Sequence, residues 1–412
     1  MAKGSKRTLG LTSLLFLALS STIYNISPVM ANDTSEFDNP TGAKVIDGVR
    51  CLSPSLPHQK YDTTKWPTVS SYTQPEITPG FYTPPGTLDA DVAALLNQLT
   101  IEEKVGQMMQ IEIGQFIGCD GNLNKTAVKT WLDDWKLGSI LETPGNHGGK
   151  YAWYTPPRLA DMIDQIQEIA TQHGSKIPLL YGVDQVHGGN YVKGNTVFPQ
   201  SIGMAATFNP DLVREGGKIT AKDSRASGIP WVFAPILDLG VNKNWPRIYE
   251  GYGEDPLLGS RMAKASINGL QGNYRKDRNR VAASIKHFIA YGVPLNGLDL
   301  GSRMVPDNTL MEYYVPAFDA AIKAGAATIM HSYSVLNQEA VVTSEYYLKE
   351  LLREKLKFKG MMVTDWGEIN KVVTEHFTAG SIKQAVHQTM EYTTIDLSMI
   401  ADDHEFGKEL LA

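Results

Sequence analysis

The chain has little cysteine, and the question of a disulfide stays open. Cys51 and Cys119 are the only cysteines among 412 residues. Export from the cell would allow the two thiols to pair. The alternative is two free, partly buried thiols.

Positive charge and long apolar segments are also scarce. Lysine and arginine number 38 against 44 acidic residues, which gives a formal net charge of -6. Because there is no basic excess, the composition argues against a nucleic-acid partner. Beyond the first 31 residues, no segment is long and apolar enough to span a bilayer, so stable membrane insertion is not expected.

The N-terminus has the pattern of a secretory signal. Three basic residues precede an apolar stretch over 9–19, and small residues at 29–31 suit cleavage. A membrane anchor is the alternative, but polar residues interrupt the apolar stretch from Ser20 onward. We therefore predict a signal peptide over 1–31 and a secreted or periplasmic protein.

Residues 32–87, rich in proline, serine, threonine and aspartate, are predicted to form an extended arm or linker.

The remaining residues, 88–412, alternate apolar runs with helical patterns. Thr100 and Glu103 are spaced as a capping box, which predicts a helix start. Eight strands alternating with helices predict an α/β fold, a (β/α)8 barrel. An open doubly wound sheet is the alternative, but it would carry a glycine-rich phosphate loop after its first strand, and none follows here. The predicted strands are 107–111, 138–141, 178–183, 231–237, 282–288, 328–333, 361–364 and 394–399.

Polar residues stand where five of these strands end. Since the carboxyl ends of barrel strands meet at one mouth, we expect these side chains to form a single site. The strand-end residues are Asp184, Asp238, the pair Lys286 and His287, the stretch His331 to Tyr333, and Asp365.

Two of the side chains at this mouth suit a sugar. Asp365 precedes Trp366, and a carboxylate beside an indole can bind a sugar ring, whose apolar face packs on the aromatic surface. An N-cap aspartate followed by a core tryptophan is the alternative interpretation. Arg247 could donate to sugar hydroxyls, or it could pair with Glu250 or a neighbouring acid.

Other chemistry fits the same residues less well. Lys286 could form a Schiff base, but nearby carboxylates would keep the amine charged. The histidines at 187, 287 and 331 do not have the spacing of a metal-binding motif, so no metal and no cofactor are predicted.

Six segments, in order along the chain, resemble glycoside hydrolase family 3 of the β-glucosidase type, in its N-terminal barrel domain. They are Leu-Thr-Ile-Glu-Glu-Lys-Val-Gly-Gln (99–107), Tyr-Gly-Val-Asp-Gln-Val-His-Gly (181–188), Arg-Ile-Tyr-Glu-Gly-Tyr-Gly-Glu-Asp-Pro (247–256), Lys-His-Phe (286–288), His-Ser-Tyr (331–333) and Val-Thr-Asp-Trp (363–366).

The resemblance implies a role for each matching residue. Asp365 would be the nucleophile of a retaining mechanism with a covalent glycosyl-aspartate intermediate. Lys286 and Arg247 would lower its pKa and keep it ionised. The implied substrate is a β-glucoside or oligosaccharide, cleaved at its terminal β-D-glucosyl residue. The implied sugar-binding residues are Asp184, Arg247, Lys286, His287 and Tyr333, with Trp366 as part of the platform.

The acid/base residue departs from the family's pattern. Two-domain members take it from a second α/β sandwich domain, whereas single-domain members use a histidine after the fifth strand, and 289–302 contain none. The resemblance therefore implies a barrel truncated before a second domain, which would dock at the mouth. Asp299 is a possible stand-in or a turn residue. The alternatives are a non-hydrolytic carbohydrate-binding barrel, or a β-xylosidase or exo-glucanase of the same family.

Overall fold

A computed structural model describes residues 90–118, 120–144, 154–401 and 403–412. The predicted signal peptide, the predicted arm and both cysteines lie outside these residues. The strands, in chain order, are β1 (Met109–Glu112), β2 (Ser139–Leu141), β3 (Leu180–Val183), β4 (Trp231–Val232), β5 (Ala282–Phe288), β6 (Thr328–His331), β7 (Val335–Leu336), β8 (Glu339–Ala340), β9 (Met361–Val363) and β10 (Ser398–Ala401).

The helices surround these strands. The α-helices are α1 (Ala90–Gln98), α2 (Ile101–Gly106), α3 (Lys125–Trp135), α4 (Pro156–Ala170), α5 (Ser201–Ala205), α6 (Pro210–Ala226), α7 (Pro256–Leu270), α8 (Asp307–Thr309), α9 (Val315–Lys323), α10 (Glu368–Thr374), α11 (Ile382–Tyr392) and α12 (Glu405–Leu411). Leu310–Tyr314 and Tyr346–Lys355 are π-helical, and Ile113–Phe116, Ile248–Glu250 and Val341–Thr343 are 3-10 turns.

The sheet is an eight-stranded parallel barrel. Its strands neighbour one another in the order β10, β1, β2, β3, β4, β5, β6, β9. A parallel bridge between Val363 of β9 and Leu397, the residue before β10, closes the sheet. The predicted (β/α)8 barrel is therefore confirmed. Among the described residues, no helix is both long enough and apolar enough to cross a membrane.

Each of the eight predicted strands overlaps an observed one, and two differ most in extent. The fourth was predicted over 231–237 and has two residues of regular strand, Trp231–Val232. Pro235 follows closely and has no N–H to donate to a neighbouring strand. The last was predicted over 394–399 and runs from Ser398 to Ala401, because pairing with β1 starts at Ser398. The hairpin of β7 and β8 was not predicted.

Strand alternation divides the core into two parts. Met361 and Val363 of β9 lie in the cluster inside the barrel, whereas Met362 between them packs outward under the helices. Trp231 fills the interior, and its indole N–H donates to Thr328 Oγ1 at 2.8 Å. The residue beside it on β3 is Gly182, where a Cβ would lie 2.5 Å from the Phe233 ring. A glycine is therefore required for these two aromatic rings to fit.

The helix prediction at Thr100 is also confirmed. Its hydroxyl accepts from the Glu103 N–H at 3.2 Å, and the Glu103 carboxylate accepts from the Thr100 N–H at 2.8 Å. These two bonds satisfy N–H groups that the first turn of α2 leaves unpaired.

Candidate active site

The barrel mouth brings together residues that are far apart in sequence. Asp184 follows β3 and forms an ion pair with Lys286 of β5, 102 residues later. His287 of β5 faces Asp365, which follows β9, with Nε2 and Oδ2 separated by 3.6 Å. Tyr333, after β6, donates from its hydroxyl to the Trp366 carbonyl at 2.9 Å. All six residues lie at the same end of the barrel.

The two oxygens of Asp365 have different surroundings. Oδ1 accepts from the Trp366 N–H at 2.7 Å, whereas Oδ2 is buried and accepts no hydrogen bond from the described residues. The residue is 7% exposed. Oδ1 is therefore held in place by the backbone, whereas Oδ2 has no such contact.

Burial raises the pKa of Asp365 above its ordinary value. Arg247 and Lys286 oppose that rise, as do the Trp366 N–H and the Tyr333 hydroxyl. The expectation that the two cations would lower the pKa is therefore correct for their own contributions. It is wrong for the net direction, because desolvation of a buried carboxylate outweighs them.

His287 is a neutral ring with a defined tautomer. An Arg247 guanidinium nitrogen lies 3.3 Å from Nε2 and can only donate, so Nε2 must be the acceptor. Nδ1 then carries the proton and donates to Asp238 Oδ2 at 2.7 Å. Burial, followed by the charges of Arg247 and Lys286, lowers the pKa of His287 well below its ordinary value.

Asp238 lies behind His287 rather than beside the open mouth. Its Oδ2 also accepts from the His287 N–H at 3.2 Å, so one carboxylate oxygen fixes both backbone and ring. Burial raises the pKa of Asp238 to about 8, and the charge of Arg247 opposes the rise. The sequence placed Asp238 at the mouth, but this orienting contact was not anticipated.

Arg247 forms an ion pair and also faces the site, so its two proposed roles coexist. Its Nε donates to both oxygens of Glu250 at 3.0 Å, and Nη2 donates to Oε2 at 2.7 Å. Nη1 lies 3.4 Å from the Tyr291 hydroxyl. The carboxylate of Glu250 therefore holds the guanidinium in the orientation that directs it toward His287.

Comparison with known proteins identifies the family. Residues 100–408 match the model described as the glycosyl hydrolase family 3 N terminal domain. The chain belongs to glycosyl hydrolase family 3. The matched range lies within the barrel predicted over 88–412.

Curated relatives of the family 3 barrel are longer than this chain. A lysosomal β-glucosidase of Dictyostelium discoideum is 39% identical over 328 residues, covering 77% of this chain and 40% of the relative. A periplasmic β-glucosidase of Salmonella typhimurium is 32% identical over 320 residues, covering 78% and 38%. A β-xylosidase of Formosa agariphila is 35% identical over 302 residues, covering 72% and 34%. The chain thus spans between about a third and two fifths of the length of these relatives.

Solved structures of a β-glucosidase and an exo-glucanase resemble this chain over the barrel. The β-glucosidase from Listeria innocua in complex with isofagomine has a TM-score of 0.66 and 29% identity, covering 78% of this chain and 42% of that one. The exo-1,3/1,4-β-glucanase from a Pseudoalteromonas species has a TM-score of 0.67 and 28% identity, covering 78% and 39%.

One acidic residue of the family 3 barrel was missed from the sequence. Glu142 follows β2 as Asp184 follows β3, and it is 2% exposed. Burial raises its pKa well above the ordinary value, and the neighbouring charge of Asp184 and a hydrogen bond with that residue raise it further. Burial and the adjacent Asp184 carboxylate therefore both favour the neutral form of Glu142. Its position directly after the predicted strand 138–141 is the feature of the sequence that could have identified Glu142 as a residue of the mouth.

Lys286 is not placed for Schiff-base chemistry. The residue is 3% exposed, and its amine is engaged by the Asp184 carboxylate. A Schiff-base lysine needs a neutral amine, and an adjacent carboxylate favours the charged form. The arrangement instead presents a hydrogen-bonded cation and anion side by side at the mouth.

The histidines do not form a metal centre. Among the described residues, no group of three histidine, cysteine or acidic side chains is arranged to hold an ion. His187 Nδ1 bonds the Phe198 carbonyl at 2.9 Å, and His331 Nδ1 lies 3.2 Å from the Ser332 carbonyl. Each ring is engaged separately.

Asp299 has a structural role in the loop after β5. The Trp245 indole N–H donates to its Oδ1 at 2.9 Å, and Arg303 donates to its carbonyl at 2.7 Å. These contacts agree with the turn interpretation of this aspartate.

Proposed function

We propose that this chain is the catalytic barrel of an exported, retaining, exo-acting glycosidase that removes terminal β-D-glucosyl residues. The observation that carries the proposal is Asp365, with Oδ1 held by a backbone N–H and Oδ2 buried without a hydrogen-bond partner among the described residues. Family membership and the β-glucosidases among the relatives support the reaction class.

Asp365 acts as the nucleophile in the first step. Its Oδ2 forms a bond to the anomeric carbon while the bond from that carbon to the leaving oxygen breaks. The leaving oxygen takes a proton from a general acid, and the product on the enzyme is a glycosyl ester. In the second step, water attacks the same carbon, gives up a proton to the same group and restores the carboxylate.

The polar residues of the mouth orient the sugar. Asp184 accepts from hydroxyls, and Lys286 and Arg247 donate to them. The Tyr333 hydroxyl, whose proton goes to the Trp366 carbonyl, accepts from them. His287, whose Nε2 is unprotonated, accepts a hydrogen bond from a sugar hydroxyl in place of the Arg247 contact. Trp366 is half-buried against the interior cluster and provides a flat apolar surface for the ring.

The general acid belongs to a second domain docked at the mouth. The shorter length of this chain relative to its family members supports that assignment, as does the loop contact of Asp299. Exposed apolar side chains on the loops after β4 and β5 offer a docking surface. They are Val241, Leu295, Leu298 and Met304.

Labelling with a slow substrate tests the proposal. The 412-residue chain is incubated with 2,4-dinitrophenyl 2-deoxy-2-fluoro-β-D-glucoside, whose leaving group departs without a proton. We expect one covalent sugar, mapped to the peptide that contains Asp365. Labelling of another carboxylate would exclude Asp365 as the nucleophile. The absence of any label would favour a non-hydrolytic carbohydrate-binding barrel.

A β-xylosidase activity is the second candidate, since relatives of that name are among the matches. Parallel labelling with the corresponding fluoro-xyloside distinguishes the two sugars by rate.

Export is tested separately. The N-terminal sequence of the protein recovered outside the cytoplasm should start at Asn32.

A further inference from the structure

A second buried carboxyl group lies behind the nucleophile. Glu368 is the first residue of α10, and its N–H donates to the Asp365 carbonyl at 3.2 Å. Its side chain is completely buried. Oε1 lies 2.7 Å from Nε2 of His376, whose side chain is 1% exposed. The two residues therefore form a pair that is closed to solvent.

Only one of the two carboxyl oxygens of Glu368 has a hydrogen-bond partner among the described residues. Oε2 of Glu368 is buried and has no hydrogen-bond partner among the described residues. A buried carboxylate oxygen without a donor favours the neutral form. Burial accordingly raises the pKa of Glu368 to about 7, although the hydrogen bond from His376 lowers it. Glu368 thus gains its negative charge near neutral pH.

Charged and titratable groups from several elements face this pair. Asp365 and Lys371 interact electrostatically with Glu368, as do Tyr333 from the β6 loop and Arg303 from the β5 loop. His331 of β6 lies near His376.

Three of these neighbours keep one charge state near neutral pH. Burial lowers the pKa of His331 to about 4 and that of Arg303 to about 10, and it raises the pKa of Tyr333 well above its ordinary value. These three groups therefore keep their charge state across the neutral range, while Glu368 changes its own.

We infer that Glu368, held by His376, is a positioning residue whose negative charge promotes attack by Asp365. The inference rests on the proposed role of Asp365 as nucleophile. Attack converts an anionic carboxylate into a neutral ester and places positive charge on the anomeric carbon. A nearby anion destabilises the starting carboxylate and stabilises the developing cation, so both effects favour the transition state.

The pH dependence of covalent labelling tests this inference. With the dinitrophenyl fluoro-glucoside, the leaving group needs no acid, so the labelling rate reports attack by Asp365 alone. For the 412-residue chain, we expect the rate to rise about fivefold as the pH passes through 7, which is about 1 kcal/mol. Glu368→Gln should lack the part of this rise that Glu368 supplies, while the ionisation of Asp365 is unchanged in the variant. Asp238 also titrates in this range, but it is unchanged in the variant, so the difference isolates Glu368.

His376→Asn gives a second test, in which the direction of the shift in pH is predicted. Because His376 lowers the pKa of Glu368, its removal should move the rise to higher pH rather than abolish it. If Glu368→Gln does not fold, as judged by circular dichroism, this variant decides alone. An unchanged rise in either folded variant would overturn the inference.

Asp365→Asn separates the two proposals. If this variant is not labelled and Glu368→Gln keeps the rise, only the role of Glu368 is wrong. If Asp365→Asn is labelled at the wild-type rate, the proposed nucleophile is wrong, and the inference is overturned with it.

Discussion

His287 Nε2 lies 3.6 Å from Oδ2 of Asp365, and it approaches with a lone pair rather than a proton. Arg247 can only donate to that nitrogen, and the protonated Nδ1 on the other side of the ring donates to Asp238. The imidazole therefore donates no hydrogen bond to Oδ2 of Asp365. This relationship supports the proposed role of Asp365 as the nucleophile.

Asp365→Asn should abolish turnover while sugar binding is retained. The amide keeps the shape and can still accept from the Trp366 N–H, but it cannot form the glycosyl ester. We expect kcat on an aryl β-glucoside to fall by at least ~10³-fold, about 4 kcal/mol, in a form that carries the acid/base. Glucose affinity by calorimetry is the control. A rate close to wild type would remove Asp365 from this role.

Lys286→Met should weaken sugar binding and leave the fold intact. The substitution keeps the length of the side chain but removes the cation that pairs with Asp184. A hydrogen bond to a charged group contributes about 1.5–3 kcal/mol, so we expect glucose affinity to fall about 10- to 100-fold. Lys349→Met, at an exposed ion pair with Glu345, is the matched control and should bind glucose normally. Unchanged affinity in the Lys286 variant would contradict the assignment.

Asp238→Asn should make stability less dependent on pH. The folded pKa of Asp238 is about 8, above its unfolded value, so the folded state binds more protons between these two values. The free energy of unfolding therefore falls as the pH rises from about 4 to 8. The asparagine variant lacks this contribution, and its thermal midpoint should fall less over the same range. Equal pH slopes for the two proteins would show that Asp238 does not titrate there.

Gly182→Ala should destabilise the barrel interior. The added Cβ would lie 2.5 Å from the Phe233 ring and 2.8 Å from Trp231, in a region that cannot relax outward. Overpacking of this kind costs about 1–3 kcal/mol of the free energy of unfolding. Combining it with Phe233→Leu should recover part of the loss, because the smaller side chain makes room. Additive losses in urea unfolding would argue against a direct clash.

The structure also shows which features were recognisable from the chain alone. The eight apolar runs and the polar residues after five of them are local patterns. Each run overlaps an observed strand, and each polar residue except Asp238, six residues beyond β4, lies at or near a strand end. Glu142 follows the same rule and could have been found by it. Glu368 carries no such signal, because a glutamate in the first turn of a helix is commonly solvated. Its burial depends on the packing of α10 against the barrel.

The sequence by itself determined the barrel and the end of it that bears the site. Strand periodicity is encoded residue by residue, and parallel strands direct all their carboxyl ends to one mouth. Only the tertiary structure decided which groups pair and which carry protons. Asp184 meets Lys286 across 102 residues, and Asp238 orients His287, because closure of the barrel brings distant strands together. Burial, which exists only in the folded protein, then raises the pKa of Asp365 against the charges of its neighbours, since desolvation disfavours an ion more than nearby cations stabilise it.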